Sequence, residues 1–480
     1  MLECSRFFLM GIKGAAMANI ALLLHQMGKN VSGIDVGEVF PTDAVLTDAG
    51  IPWYRFGELR VIPPDVEVIV FAAAHQADSH ELVRQAQASG IRVVHQAALL
   101  GELIARFPRS IAVAGCHGKT TTSSMLACAL LKLNVDPSYM VGAPSFRVGS
   151  GTVHPGGRVG HSEYFVIEAD EYALHPPVNR TPKFHLLKPA YAIITNIDYD
   201  HPDVYASFAE TKEAFLTFAK RTGAANGKKR LFLCADDDPL REVTKGLATE
   251  AYQTYGFSSD ADYRIQESAP EKGGMTFTLS GPENLYHRFS IALPGEKNVL
   301  NAAAVIGVLH RMGFSPDAIA TAIGSFRGAK RRFELVSSGP GYVIYDDYAH
   351  HPAELRAVIS AAKIRHPHAR IRVVFQPHTF SRTKSLLEDF VDALALAEEA
   401  IVLPIFASAR ERADGIVSSK LLIEHATRKG ITTMCDISDA SALRKVLANG
   451  RSNDDVVIMA GAGDVYALQP DVLLVYSAQK

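Results

Sequence analysis

Ala112-Val113-Ala114-Gly115-Cys116-His117-Gly118-Lys119-Thr120-Thr121-Thr122 decides the fold: an apolar run meets two glycines, a lysine and a row of hydroxyls, and the good helix former Ser123 to Leu133 follows. Ser110 to Ala114 reads as a strand, so the stretch is strand, loop and helix in succession. Glycines let backbone N–H groups approach phosphate oxygens, the helix start directs its positive end at them, Lys119 adds a charge, and Thr120 can ligate magnesium. Gly115, Cys116, His117, Gly118, Lys119, Thr120 and Thr121 are therefore the candidate triphosphate-binding residues. Val113 stands where the common pattern has its first glycine, five residues before Gly118, which predicts a shorter loop than in most nucleotidases. Cys116 is either a thiol activated at a helix start or a small residue that fits, and the second reading is favoured.

A strand-then-helix rhythm extends in both directions. Arg6 to Met10, Ala15 to Met27 and Val31 to Ile34 read as strand, helix and strand, a βαβ unit ending at Asp35. Apolar runs at Val66 to Ala72 and Ile91 to Val94 flank an amphipathic segment, Ser79 to Ala88. Downstream of the loop, Tyr164 to Ile167, Tyr191 to Thr195, Leu231 to Cys234 and Met275 to Leu279 are strand candidates; Tyr342 to Asp346, Arg372 to Gln376, Ala400 to Leu403 and Val456 to Met459 follow after Phe326-Arg327-Gly328. The expectation is an α/β chain of three domains with parallel, doubly wound sheets: a Rossmann-like N-terminal domain over 1–107, a central P-loop ATPase-type domain over 108–328, and a Rossmann-like C-terminal domain over 329–480. Gly149 to Gly160 reads as a mobile loop.

The 480 residues, 48% hydrophobic and 21% charged, can bury several cores. A net charge of −2 supplies no field for holding nucleic acid or an anionic membrane. Five cysteines without a CxxC pair argue against a disulfide framework or zinc site and fit a reducing cytoplasm. Phe7 to Leu24 is interrupted by Lys13 and Asn19 and leads directly into the second strand, so neither an export signal nor a membrane span is expected.

Gly11-Ile12-Lys13-Gly14-Ala15-Ala16, with Asp35 beyond, invites a dinucleotide reading, but Lys13 occupies the place of the second fingerprint glycine, where a side chain obstructs a pyrophosphate. Another diphosphate, or a tight turn without ligand, are the other readings. Glu168-Ala169-Asp170-Glu171 and Asn196-Ile197-Asp198-Tyr199-Asp200-His201 end strands of the loop's own sheet, where residues face the phosphate crevice. Thr120 with Glu168 makes a hard-oxygen magnesium site, against the alternative of a solvated acidic turn. From chemistry alone His201 is equally a magnesium ligand and a capping or structural histidine.

These segments, in order with Lys297-Asn298-Val299-Leu300-Asn301-Ala302, Arg331-Arg332-Phe333-Glu334 and Asp346-Asp347-Tyr348-Ala349-His350-His351-Pro352, resemble the Mur ligases of bacterial peptidoglycan synthesis over nearly the whole chain. His117, the His350-His351-Pro352 triplet, Gln376 to Thr383 and Ala407 to Glu411 look like the branch that acts on UDP-N-acetylmuramate and L-alanine. The resemblance implies transfer of the ATP γ-phosphate to the lactyl carboxylate, attack of the L-alanine amine on the acyl phosphate, and loss of phosphate. It implies Lys119, His201, His350 and Arg382 as catalytic residues, and Thr120, Glu168 and His201 as ligands of Mg2+. Asn196 would face the nucleotide, Lys297, Asn298 and Asn301 the adenine, Arg332 the phosphate and Asp347 the ribose. His350, His351 and Arg382 would hold the amino acid, and Gly11, Lys13, Gly14, Ala15 and Asp35 the UDP sugar, with Lys13 itself able to pair with the diphosphate. A hinge near Gly328 to Lys330 fits domain closure. For the histidines the bland alternative is a surface turn before Pro352. Some Mur ligases carry a carbamylated lysine; Lys212 is not placed well enough to claim that role. The resemblance leaves room for a homodimer. Other readings are a ligase that recycles whole peptides onto the same nucleotide sugar, folate polyglutamate synthesis, a nucleotide-dependent oxidoreductase, and an ATP-regulated binding module.

Overall fold

The computed structural model describes residues 1–72, 80–175, 178–200, 204–222, 229–407 and 417–477. The chain divides into two compact units, one holding residues 1–269, 276–292 and 298–327, the other 270–275, 293–297 and 328–480.

In the first unit the opening sheet is wholly parallel. Its order runs Trp53–Arg55, Asn30–Asp35, Arg6–Met10, Val68–Phe71, Arg92–His95, the doubly wound arrangement with the first strand at the switch point. Phe7 to Met10 are all buried, which is why this strand reads as a continuous apolar run instead of an alternating one. The helix Ala15–Gln26 follows, and the amphipathic segment forms a helix over Glu81–Ala88 capped by His80; Ser79 lies outside the described residues.

The second sheet of this unit has eleven strands among the described residues. Its parallel part runs from Tyr263–Glu271 through Tyr252–Gly256, Leu231–Cys234, Tyr191–Ile194, Arg109–Ala114 and Tyr164–Glu168 to Ser138–Val148. Strand Gly274–Gly281 covers the expected Met275 to Leu279.

Antiparallel pairing departs from the all-parallel expectation in several places, among them the separate two-stranded pair Ala173–His175 with Asn179–Pro182 and two sheet edges. Thr152–Arg158 runs antiparallel on Ser138–Val148, and Glu334–Gly339 antiparallel on Tyr342–Asp347. The connections, Gly149-Ser150-Gly151 and Pro340-Gly341, are too short for a crossover and can only return the chain as a hairpin. The expected mobile loop at Gly149 to Gly160 is thus mostly strand. Its glycines serve close packing: a Cβ on Gly156 would overlap the Ala143 carbonyl oxygen and stand 2.7 Å from Asn19 Nδ2, while Asn19 Nδ2 donates to Val141 O at 3.0 Å. The hairpin is therefore the seat of helix Ala15–Gln26. Gly156→Ala is expected to lower stability by about 1–3 kcal/mol through overpacking, read as a fall in denaturation midpoint; an unchanged midpoint would show that this contact yields freely.

The second unit holds a six-stranded sheet in the order Glu334–Gly339, Tyr342–Asp347, Asp455–Ala460, Arg370–Phe375, Glu399–Val402, Met434–Asp436. Arg372, fully buried in this sheet, donates to Leu447 O at 2.8 Å, Val446 O at 3.1 Å and Tyr476 Oη at 2.9 Å, and pairs with Glu399 and Asp455. Tyr476 Oη in turn donates to Asp455 Oδ2 at 2.8 Å, so the guanidinium is satisfied by segments far apart in sequence. Among the described residues, no helix is long and apolar enough to cross a membrane.

Candidate active site

Strand Arg109–Ala114 lies between Tyr164–Glu168 and Tyr191–Ile194, with Val113 opposite Glu168 and Ala114 opposite Ile194. The loop at Gly115 therefore leaves the sheet where the carboxylate-bearing ends of both neighbours converge. Gly115 takes φ +129° and Gly118 φ +84°. A Cβ on Gly115 would overlap Thr195 Oγ1, and one on Gly118 would stand 2.8 Å from Asn301 Oδ1; with both backbones in the positive-φ region, glycine is favoured at each position.

The loop is braced from beneath. Asn196 Oδ1 accepts from His117 N–H at 2.9 Å, and Asn196 Nδ2 and Thr195 Oγ1 donate to His117 O at 2.9 and 2.6 Å. Asn196, expected to face the nucleotide, thus spends its amide on the loop backbone. His117 Nε2 lies 3.1 Å from Asp198 Oδ2. Cys116 Sγ donates to Asp198 O at 3.2 Å and accepts from Asp198 N–H at 3.1 Å. Burial, reinforced by Glu171, raises its thiol well above the usual range, so Cys116 is a neutral tie between two loops. At pH 8 Cys116 should resist iodoacetamide while the half-buried Cys4 reacts; peptide mass spectrometry reads both, and equal rates would contradict this assignment.

Lys119 Nζ donates to Gly115 O at 2.6 Å, to Cys116 O at 3.2 Å, and to both oxygens of Glu171 at 2.8 and 3.1 Å. Burial opposes its charge, but Glu171, with Asp170 and Glu168, outweighs that and holds the ammonium protonated. Glu171, 1% exposed, received no individual role from the sequence; the available signal was its place three residues after Glu168 in the same acidic turn. Thr120 Oγ1 donates to Glu168 Oε1 at 3.2 Å, and Glu168 Oε2 accepts from Gly142 N–H at 2.8 Å. A hydroxyl and a carboxylate oxygen side by side beneath a glycine cradle suit a hard divalent cation, so the donor set fits magnesium. His201 lies outside the described residues. Thr121 is half-buried in the first turn of helix Lys119–Lys132. Asn301 packs at Gly118, with Asn298 Oδ1 3.5 Å from its Nδ2, and Lys297 is exposed on the first turn of helix Glu296–Arg311. Lys212 pairs with Glu242 at 2.5 Å.

In the opening sheet Gly11 takes φ +77°, and Gly14 and Ala15 lie exposed at the start of their helix. Lys13 does not point at a diphosphate: its side chain is buried, and Nζ donates to Val36 O and Glu38 O. Asp35 is buried as well, accepting from Lys13 N–H at 2.6 Å and Val36 N–H at 2.7 Å, so it fastens the turn.

In the second unit Asp347 accepts from Phe333 N–H and Ala349 N–H, each at 2.7 Å. Burial, partly offset by Arg332, pushes its carboxyl up to about 6. Expected on ribose, it pins the 331–334 turn, where Arg331 and Phe333 take φ +57° and +48°. Arg331 turns inward to Gly461 O at 2.6 Å, whereas Arg332 lies 5.0 Å over the Tyr348 ring and 4.0 Å from Glu354. His351 caps helix Pro352–Arg365 in a capping box with Glu354, and His350 Nδ1 lies 2.9 Å from Tyr348 O and 3.2 Å from Glu354 Oε2. Both histidines are therefore built into a helix start. Arg382 is buried on the short helix Phe380–Ser385, which opens at Thr379 with φ +68°, a strained conformation for a β-branched residue and of the kind found at ligand clamps. Of the Ala407 to Glu411 motif, only Ala407 is among the described residues.

Three family models match: Mur ligase family, catalytic domain over residues 7–108; Mur ligase middle domain over 113–309; and Mur ligase, glutamate ligase domain over 331–463. The chain is 35% identical to the UDP-N-acetylmuramate–L-alanine ligase of Desulfitobacterium hafniense, covering 95% of this chain and 96% of that one, and 37% identical to its namesake in Streptomyces coelicolor, covering 96% of each. Among solved structures, the UDP-N-acetylmuramate-alanine ligase of Thermotoga maritima matches with TM-score 0.78 at 24% identity, over 99% of this chain and 100% of that one. A murein peptide ligase from Psychrobacter arcticus matches with TM-score 0.73 at 20% identity, over 99% of each chain, a likeness of fold.

Proposed function

The chain belongs to the Mur ligase family, and from that premise we propose that it joins L-alanine to the lactyl carboxylate of UDP-N-acetylmuramate at the expense of ATP. The observation that carries the reading is Lys119 and Thr120, at the helix start after strand Arg109–Ala114, beside Glu168 at the end of the neighbouring strand Tyr164–Glu168, in a chain similar over its length to ligases of that name.

A carboxylate does not form an amide unaided, because its oxygen is a poor leaving group. One oxygen of the lactyl carboxylate attacks the γ-phosphorus, the bond to ADP breaks, and the acyl phosphate forms. The alanine amine then adds to the acyl carbon, phosphate departs with the C–O bonding electrons, and the nitrogen loses a proton. Lys119 leaves its Glu171 pairing to follow the charge on the transferring phosphoryl group, and the N–H groups from Gly118 to Thr120, beyond those of Cys116 and His117 that are held by Asn196, take the β- and γ-phosphate oxygens. Thr120 and Glu168, with His201, would hold magnesium, which supplies charge neutralisation on the phosphates. Arg382 suits the alanine carboxylate, since a guanidinium forks onto two oxygens, and its strained helix start supports the assignment. His350 and His351 belong to the same amino-acid subsite, Asn298, Asn301 and Lys297 to the adenine, and Arg332 to the phosphates. Gly11, Gly14 and Ala15 take the diphosphate of the nucleotide sugar at a helix start. The three-domain division at 107/108 and 328/329 belongs to this reading, as does a cytoplasmic location, where free thiols such as Cys116 and Cys128 remain reduced.

Phosphate release by the purified protein tests the proposal, with UDP-N-acetylmuramate and ATP constant and the amine varied among L-alanine, L-serine, glycine and a short peptide. The expected result is release that requires the nucleotide sugar and an amine together and is greatest with L-alanine. Preference for the peptide would move the chain to the recycling reaction; release indifferent to the nucleotide sugar would overturn the proposal.

A further inference from the structure

We infer that Lys13 is a positioning residue that sets loop 36–43 for recognition of the nucleotide sugar; the inference rests on the assignment of that ligand to the Gly11–Ala15 turn. The side chain is 1% exposed. Nζ donates to Val36 O at 3.3 Å and to Glu38 O, lies 3.2 Å from Asp43 Oδ1, and stands 4.4 and 5.0 Å from the ring centroids of Trp53 and Phe40. Its main chain is held too: Lys13 N–H donates to Asp35 Oδ2, and Thr42 Oγ1 donates to Lys13 O. One residue thus ties together the turn after the first strand, the end of the second, and both ends of the loop that follows.

The direction of these bonds matters. In a planar trans peptide the carbonyl and the next N–H point opposite ways. By drawing the carbonyls of Val36 and Glu38 inward, the ammonium turns the N–H groups of Gly37 and Val39 away from itself, at the loop's crest, where Val39 is 81% exposed. Outward N–H groups complement the acceptors of a nucleotide sugar, namely base carbonyls, ribose oxygens and diphosphate. Asp35 occupies the place where a doubly wound fold puts its ribose-reading acid, yet it is buried and each of its oxygens already accepts a backbone N–H, which leaves the reading to the loop. A lysine where the fingerprint has glycine is accommodated because it runs under the loop and out of the diphosphate path.

Lys13→Met in the full chain, with steady-state kinetics and hydrogen exchange by mass spectrometry, tests this. The expected result is a KM for UDP-N-acetylmuramate raised at least tenfold, with KM for ATP and kcat within about threefold of wild type, and faster exchange confined to residues 36–43. Asp43→Asn, which keeps the shape, should move the same KM a few-fold and carries the test if the first variant does not fold. An unchanged KM for the nucleotide sugar, an equal loss in every kinetic constant, or unchanged exchange in the loop would each overturn the inference. Wild-type protein that does not bind UDP-N-acetylmuramate in calorimetry would instead overturn the functional assignment, and with it the ligand-reading part of this one.

Discussion

Lys119→Ala will abolish ATP-dependent phosphate release, by at least about a thousandfold, because it removes the ammonium held against the loop backbone from a transition state whose charge grows on the transferring phosphoryl oxygens. It should also cost stability. Glu171 is buried, and the ammonium 2.8 Å away answers its charge; breaking such a pair from one side costs about 3–5 kcal/mol. The two effects can be separated. Lys119→Met combined with Glu171→Gln removes both charges and should regain most of the lost denaturation midpoint while recovering no turnover. Near-normal release by Lys119→Ala would mean that ATP binds elsewhere; a double variant no more stable than the single one would mean that the pair is not what holds this turn.

Gly115→Ala is expected to cost about 2–4 kcal/mol and at least a hundredfold in phosphate release. Alanine at φ +129° is strained. The new methyl would also overlap Thr195 Oγ1, the hydroxyl that holds His117 O at 2.6 Å, so relief of the clash displaces the brace and carries the loop N–H groups off the phosphates. Thermal denaturation and phosphate release measured on the same preparation check both halves. Wild-type release would show that the loop does not need this backbone shape.

Much of this was legible in the sequence, for stated reasons. Strand Arg109–Ala114 and helix Lys119–Lys132 announce themselves because an unbroken apolar run, two glycines and a hydroxyl-rich helix start allow few local alternatives. Placement of Glu168 beside Thr120 followed from its position at the end of a strand in the same sheet. The stretch Gly149 to Gly160 reads as a mobile loop because glycine signals freedom locally, whereas Gly156 is small to admit Asn19, a neighbour 137 positions away. The direction of the Lys13 side chain was equally hidden. A lysine in a turn is expected to seek an anion in solvent, and only the loop beyond Asp35 provides the carbonyls that draw it inward. For Asn196 the sequence leaves open what its amide serves, because an amide suits a base edge or a backbone equally well; in the structure it braces the backbone of His117.

The Arg372 knot bears on how the protein is made. Its guanidinium sits on the strand Arg370–Phe375, yet Tyr476, which joins it to Asp455, is synthesised a hundred residues later. Until then a nascent sheet would carry a desolvated cation short of one hydrogen-bond acceptor, a penalty that favours leaving it open. This second unit should accordingly stay protease-sensitive on a stalled ribosome and close only once the helix Gln469–Ser477 has cleared the exit tunnel.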